Sequence, residues 1–198
     1  MKKKKKGLAI GNSDFKEIIQ ENGYYVDKTK FIEDLLEDLS KVKLFTRPRR
    51  FGKTLNLSML KYFFDVRNAE ENRKLFDNLY ISKSEYMENQ GQNPVILISL
   101  RNAEAENWED SFFNIKNLVK SLYKQFQYIK EKLDEFDLED FLSIVKDKDN
   151  ADWENSLKNL SRYLYEYYGK KVIILIDEYD TPMTSAWNEG YYAKSRRF

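Results

Sequence analysis

The sequence predicts an α/β fold with a parallel sheet, and the arrangement of its apolar residues carries the prediction. Residues 95–100, apart from Ser99, and residues 172–176 are apolar runs rich in β-branched residues, a composition that suits strands buried on both faces of a parallel sheet. A further strand is predicted over residues 41–46. Between the two long runs, residues 108–168 carry apolar side chains three and four positions apart, which predicts helices.

The composition bounds the class of protein. A length of 198 residues fits one domain, which we place at residues 12–198 behind a disordered basic tail at 1–11. With 34 basic and 33 acidic residues, the net charge of +1 gives no global argument for nucleic acid or membrane as a partner. The absence of cysteine and histidine excludes disulfides, zinc sites with Cys or His ligands, and a histidine base. No signal peptide or spanning segment is evident, so we expect a cytoplasmic protein.

Helix boundaries in the first half are marked by polar caps. Asp14 suits the N-cap of a short helix that ends near residue 22. Asp27 or Thr29 is predicted to cap a second helix, whose apolar residues recur at helical spacing over 31–39. The alternative interpretation of Asp27 and Thr29 is contact with a nucleotide. Residues 76–81 are predicted to be a docked loop.

The second half is mainly helical. Three helices are predicted within residues 108–168, the last ending at Gly169, which suits the C′ position after a helix. Four tyrosines cluster near that end, and core packing is the favoured interpretation, with base stacking as the alternative. They are Tyr163, Tyr165, Tyr167 and Tyr168. Beyond Pro182 only helix fragments are predicted.

Residues 43–55 read as a strand, a basic loop and the start of a helix from Thr54 to about residue 65. Gly52, Lys53 and Thr54 match the last three positions of the phosphate-binding pattern G-x-x-x-x-G-K-[ST]. In that pattern the glycine admits close approach of a phosphate, the lysine reaches the β- and γ-phosphates, and the hydroxyl binds Mg²⁺. Arg47 replaces the first glycine of the pattern, and a Gly-Lys-Thr tripeptide also occurs by chance.

Two acids follow the last predicted strand. A buried strand can carry a carboxylate at its end, where water or a metal meets it. Asp177 is placed for a Mg²⁺ shell and Glu178 for orienting and deprotonating a water molecule. A helix N-cap acid is the alternative for either residue alone. A phosphate loop and an acidic pair in this order together favour binding of a Mg²⁺–nucleotide.

Three segments together resemble the AAA-ATPase-like family of bacterial and archaeal proteins. They are T-R-P-R-R-F-G-K-T at 46–54, I-D-E-Y-D at 176–180 and Y-V-D-K-T at 25–29. That family's phosphate loop reads R-P-R-R-F-G-K-[ST], so Arg47 follows the family's own pattern. The resemblance extends from about Gly11 to about Pro182. It implies a P-loop NTPase of AAA/ASCE type, which is a three-layer sandwich with a parallel sheet, here with residues 108–168 as a helical insertion.

The resemblance also implies a set of site residues and cofactors. ATP and Mg²⁺ are the implied cofactors, with Lys53 and Glu178 acting in hydrolysis and Thr54 and Asp177 holding the metal. The implied contacts to the nucleotide come from Arg49, Arg50, Phe51, Gly52, Lys53, Thr54 and Leu55. For Arg49 and Arg50, contact with another subunit of a homo-oligomer or with nucleic acid stays open.

The end of the sequence carries a further expectation. In AAA-type ATPases a central strand with a polar sensor residue follows the acidic strand, and an arginine finger comes later. No apolar run follows Pro182, so we expect a C-terminally truncated domain that binds nucleotide weakly and hydrolyses it poorly. Members of the family often carry a restriction-endonuclease-like nuclease domain after the ATPase, and we expect none in this chain.

Two further hypotheses compete with hydrolysis. One is a nucleotide-binding interaction module without turnover. The other is a nucleic-acid-binding protein that acts through its basic blocks at residues 2–6 and 41–53.

Overall fold

A computed structural model describes residues 6–46, 48 and 50–195. The predictions for residues 1–5, Arg47 and Arg49 therefore lie outside the described residues. The chain divides into two compact units, residues 1–95 and 96–198.

The first unit is helical. Its helices are α1 (Phe15–Gln20), α2 (Lys30–Glu37), α3 (Lys53–Phe64) and α4 (Ala69–Arg73), and short 3₁₀ turns follow at Lys74–Phe76, Tyr80–Lys83 and Glu85–Asn89. Asp14 caps α1 as predicted, because its carboxylate accepts the N–H of Glu17 at 3.0 Å. Three buried phenylalanines form the centre of the unit, with the ring of Phe76 lying 5.1 Å from that of Phe15 and 5.4 Å from that of Phe63. The predicted docked loop thus supplies Phe76 to the core.

The prediction of a strand over residues 41–46 is wrong, since these residues form an irregular segment. Val42 is 86% exposed and Leu44 is 63% exposed. Phe45 alone of this apolar run docks, with its ring 4.7 Å from that of Phe31. A strand needs a neighbour to pair its N–H and C=O groups, and no backbone bridge joins residues 41–46 to another strand. Residues 41–46 have alternating apolar side chains, but they lack the neighbouring strand that strand formation requires.

The second unit holds the sheet. Its elements are β1 (Val95–Ser99), α5 (Trp108–Gln125), α6 (Glu135–Val145), α7 (Ser156–Tyr168), β2 (Ile173–Asp177), α8 (Thr181–Asn188) and α9 (Tyr192–Ser195), and the unit boundary falls inside β1 after Val95. β1 and β2 form a two-stranded parallel sheet. The N–H of Leu100 donates to the carbonyl of Asp177 at 3.0 Å, so the carboxyl ends of both strands lie at one edge. Both strands and the three long helices confirm the sequence predictions.

The prediction that β2 is buried on both faces is wrong. Ile174 is 39% exposed and Ile176 is 41% exposed, whereas Leu175 and Asp177 are buried. Because side chains alternate across a strand, this pattern shows one covered face and one open face. A continuous apolar run does not by itself distinguish a strand that is covered on one face from a strand that is covered on both.

Helices α5, α6 and α7 pack their apolar faces together with β1. The core side chains from these elements and the turn after α5 are Ile96, Ile98, Val119, Leu122, Tyr123, Phe126, Ile129, Phe141, Ile144, Leu160, Tyr163 and Leu164. Gly169 ends α7 in the left-handed conformation with φ of 62°, as the sequence predicts. The clustered tyrosines divide, because Tyr163 lies in the core while Tyr165 is 54% exposed. Within the described part of the chain, no helix combines the length and apolar character needed to cross a membrane.

Candidate functional site

The predicted phosphate loop lies at the N-terminus of α3. Gly52 occupies the N-cap position with φ of 74°, a left-handed conformation that glycine adopts without steric cost. No heavy atom lies within 4 Å of the place where a Cβ would stand at Gly52, so the backbone conformation and not crowding favours glycine there. Lys53 is the first residue of the helix, which extends over 12 residues. The first amides of a helix have no acceptor inside it, so this end favours an anion.

The basic side chains near the loop are not equivalent. Arg50 is exposed and has φ of 68°, which is unusual for a residue with a side chain. Lys53 is half-buried at the helix start. Lys43, in contrast, donates to the carbonyls of Asp38 and Ser40 at 2.7 Å each and so closes its own loop. The basic block predicted from the sequence therefore includes a lysine with a structural role.

The nonpolar members of the predicted loop also differ from each other. Phe51 is 65% exposed, whereas Leu55 lies half-buried in the first turn of α3. Thr54 stands beside Lys53 in that turn and is half-buried. The structure thus brings Gly52, Lys53, Thr54 and Leu55 together at one helix end.

Asp27 and Thr29 form a hydrogen-bonded anchor within the first unit. One carboxylate oxygen of Asp27 accepts the N–H and the hydroxyl of Thr29 at 2.8 and 2.7 Å, and the other accepts the N–H of Tyr80 at 2.7 Å. The hydroxyl oxygen of Thr29 accepts the N–H of Ile81 at 3.1 Å. Thr29 sits at the N-cap position of α2, but its side chain makes no cap hydrogen bond. The N-cap position of Thr29 is thus as predicted, whereas the side chains of Asp27 and Thr29 bind the turn at Tyr80 and Ile81 instead of the first amides of α2.

Tyr25, in the same segment, is a packing residue. Its ring makes an edge contact with Phe15 at 5.2 Å, and its hydroxyl lies 3.4 Å from the sulfur of Met59. Burial raises the pKa of Tyr25 to about 12, so the phenol stays neutral at physiological pH. The segment 25–29 is thus explained by contacts within its own unit.

Asp27→Ala should lower the free energy of unfolding by about 2 kcal/mol, because the N–H groups of Thr29 and Tyr80 lose their acceptor. Urea denaturation measures this change. Asp34→Ala is the matched control, since Asp34 is an exposed residue of α2, and we expect a change below about 0.5 kcal/mol. ATP affinity should stay within about twofold of the parent value in both variants. If Asp27→Ala lost ATP affinity but kept its free energy of unfolding, residues 25–29 would instead contact the nucleotide.

The acidic pair lies at the carboxyl end of β2 in the second unit. Asp177 is 5% exposed, and one of its carboxylate oxygens accepts the N–H of Glu178 at 3.1 Å. Glu178 follows with φ of 52°, a left-handed conformation that a residue with a Cβ adopts at a cost. The strand therefore ends in a sharp turn that carries both carboxylates.

Arg101 is a residue of this site that the sequence interpretation missed. Its Nε and Nη2 donate to Oε1 of Glu178 at 3.2 and 2.9 Å, and the hydroxyl of Thr181 donates to Oε2 at 3.3 Å. The carboxylate raises the pKa of the Arg101 guanidinium above its usual value. The two partners are 77 residues apart in the chain. One signal was available, because Arg101 directly follows the predicted strand at residues 95–100, and parallel strands have their carboxyl ends at the same edge of a sheet.

The side chains predicted to hold Mg²⁺ carry oxygen donors. Among residues 6–46, 48 and 50–195, no cluster of three or more Asp, Glu, His or Cys side chains has the arrangement to hold a metal by itself. Mg²⁺ in phosphate sites characteristically keeps several waters and takes one or two protein oxygens together with substrate phosphates. The hydroxyl of Thr54 and the carboxylate of Asp177 are hard oxygen donors of this kind. Thr54 belongs to the first unit and Asp177 to the second.

A Gly-Lys-Thr sequence that opens a helix and an acidic pair that closes a parallel strand are features of nucleotide-binding α/β proteins. Residues 9–198 match the model of the family described as predicted AAA-ATPase, and the chain belongs to that family. This membership supports nucleotide binding, and ATP binding in particular.

One curated relative matches over most of this chain. It is an uncharacterised protein in the vnfD 5′ region of Azotobacter chroococcum mcd 1, 30% identical over 182 residues. The match covers 90% of this chain but 30% of the relative, so the chain spans about a third of the relative's length. No solved structure matches the chain.

Proposed function

We propose that this chain is a P-loop ATPase domain of AAA/ASCE type that binds ATP with Mg²⁺ and hydrolyses it. The observation that carries the proposal is the start of α3, where Gly52 adopts a left-handed N-cap conformation and Lys53 is the first helical residue. A helix end of this kind presents backbone N–H groups and the positive end of the helix dipole to an anion. The family membership supports adenine as the base.

The loop residues have separate roles in binding. The backbone N–H groups around Gly52 and Lys53 donate hydrogen bonds to the phosphate oxygens, and the Lys53 ammonium neutralises charge on the β- and γ-phosphates. Arg50 is exposed beside the loop and supplies a second positive charge. Lys43 takes no part, because its ammonium is bound to the carbonyls of Asp38 and Ser40.

Hydrolysis is assigned to the acidic pair and Lys53. Thr54 and Asp177 are the residues that would hold Mg²⁺, and the metal would supply positive charge to neutralise the phosphate oxygens. Lys53 stabilises the charge of the transferred phosphoryl group. Glu178 orients the attacking water and accepts its proton.

A second candidate, nucleotide binding without turnover, is favoured by one observation. The Glu178 carboxylate is already hydrogen bonded to Arg101 and Thr181, and it must reach a water molecule to act as a base. The process that nucleotide binding or hydrolysis drives is a separate question. Its coupling to a homo-oligomer, to a nucleic acid or to a nuclease activity stays a prediction.

ATP binding and phosphate release, measured on this chain with Mg²⁺ and with EDTA, test the proposal. We expect saturable ATP binding and slow phosphate release that EDTA abolishes, because the metal is required for charge neutralisation. Binding without release would select the second candidate. Absence of binding under both conditions would contradict both candidates.

A further inference from the structure

We propose that a strip of tyrosine and lysine side chains in the second unit binds single-stranded nucleic acid, with bases stacking on the rings and phosphates meeting the ammonium groups. The strip consists of Lys158, Tyr165, Tyr168, Tyr128 and Lys132. All five lie within residues 96–198, so binding of a strand can be tested apart from ATP binding at the start of α3.

Helix α7 provides one side of the strip. Four of its residues are three or four positions apart, a spacing that places them on one face of the helix. They are Lys158, Ser161, Tyr165 and Tyr168. Lys158 and Tyr165 are exposed, while the other two are half-buried. From Lys158 to Tyr168 the helix rises about 15 Å, so this face can contact more than one nucleotide of a strand whose stacked bases are about 3.4 Å apart.

Tyr128 and Lys132 extend the strip from another segment, the 3₁₀ turn Gln127–Lys132 that follows α5. The hydroxyls of Tyr128 and Tyr168 are hydrogen bonded at 2.7 Å across 40 residues of sequence. The Tyr128 ring makes an edge contact with the Tyr167 ring, with their centres 5.7 Å apart. The Lys132 ammonium lies 4.7 Å from the centre of the same Tyr167 ring. These contacts join the two segments into one continuous surface.

The rings of the strip are held in place without being covered. Tyr165 is 54% exposed and Tyr128 is 37% exposed, whereas the core residue Tyr163 is 1% exposed. Tyr168 and its neighbour Tyr167 are partly buried against the core of the unit. A tyrosine ring offers a large contact area with only two side-chain torsions to fix. Rings that the fold already holds therefore bind a base at a low cost in conformational entropy.

The lysines in and beside the strip give it a local positive charge. Four of them are exposed, and within the described part of the chain none of the four forms an ion pair. They are Lys130, Lys132, Lys158 and Lys170. Glu166, the acid next to Tyr165, is paired with Arg162 at 3.1 Å. Glu131 is an exposed acid between two of the lysines, so positive charge still exceeds negative charge here, although the whole chain carries only +1.

Unpaired nucleic acid matches both parts of the strip. Its bases expose faces that can stack on aromatic side chains, whereas the bases of a duplex are stacked on each other and out of reach. Its phosphates carry the negative charge that lysines neutralise. An acidic peptide or a duplex would satisfy the lysines but would offer the tyrosine rings no stacking partner. A single strand is therefore the class of partner that uses both the rings and the charges.

Fluorescence anisotropy of a labelled oligothymidylate of about 15 nucleotides, a length in the range of known single-strand sites, tests the tyrosines. Tyr165→Ala should weaken binding about tenfold, because one stacking contact is lost. Tyr165→Phe keeps the ring and should bind within about twofold of the parent chain. Phe113→Ala is the matched control, since Phe113 in α5 is a 55% exposed aromatic residue of the same unit. It should bind like the parent.

The salt dependence of the same binding tests the lysines. Each phosphate contact of a single strand contributes about 0.7 to the slope of log affinity against log salt concentration. Lys132→Gln combined with Lys158→Gln should therefore reduce the slope by about 1.4. Lys146→Gln combined with Lys148→Gln is the control, because both lysines are exposed in the same unit at the end of α6. This control should leave the slope unchanged.

Parent-like affinity in Tyr165→Ala, with circular dichroism showing a folded variant, would overturn the strip as the binding surface. Equal slopes for the two double variants would overturn it as well, and they decide the question if Tyr165→Ala does not fold. Binding of a duplex of the same length, or of a labelled oligoglutamate, as tightly as oligothymidylate would show attraction to charge alone and would overturn the single strand as partner. None of these measurements uses ATP or Mg²⁺, so their failure would leave the proposed function standing.

Discussion

Lys53→Ala should weaken ATP binding by about thirtyfold, equivalent to about 2 kcal/mol, as expected for the loss of a charged hydrogen-bond donor to a phosphate. Lys53 is half-buried and begins α3, directly after the left-handed Gly52. The backbone amides at this helix end remain in the variant, so some affinity should survive. Titration of the chain with a fluorescent ATP analogue in the presence of Mg²⁺ measures the difference.

Lys61→Ala provides the control in the same helix. Lys61 lies in the last turn of α3, where its ammonium stands 5.0 Å from the centre of the Tyr62 ring. Both variants replace lysine by alanine in one helix, so their effects on helix propensity and net charge are alike. Equal affinities for the two variants would show that position 53 has no special contact with the nucleotide and would remove the main support for the phosphate loop.

Local signals in the sequence were sufficient for the start of α3 and for the helix ends at Asp14 and Gly169. Asp14 caps α1 through the N–H of Glu17, and Gly169 ends α7 with a positive φ, both as predicted. These features depend on a few neighbouring residues whose backbone preferences are strong.

Features that depend on packing against another element of the fold could not be predicted from local sequence. Residues 41–46 alternate apolar side chains but form no strand, because strand formation needs a neighbour that local sequence does not specify. For β2, the run of apolar residues predicted its existence but not which faces are covered, and Ile174 and Ile176 are exposed. Strand formation and strand burial are both properties of the sheet.

The hydrogen-bond partners of Asp27 and Glu178 could be identified only from the structure, for a related reason. Asp27 binds the N–H of Tyr80 across 53 residues, and Glu178 binds Arg101 across 77 residues. No fixed separation in the sequence predicts either pair, because each pair joins segments that are brought together by packing. Composition and motif therefore identified Glu178 as a candidate base, while its hydrogen bonds with Arg101 emerged only from the fold.

Glu178→Gln should lower phosphate release by about a hundredfold to a thousandfold while ATP affinity stays within about twofold, because a general base of this type contributes on that scale and does not hold the phosphates. Glutamine has nearly the same shape, and its carbonyl can still accept from Arg101, but it cannot take a proton from water. A coupled assay for phosphate release, run beside the ATP titration, separates the two quantities.

Glu189→Gln, at an exposed position after α8, is the control and should leave both unchanged. Parent-like turnover in Glu178→Gln would reject Glu178 as the base, because the isosteric amide preserves the hydrogen bonds and removes only the proton acceptor.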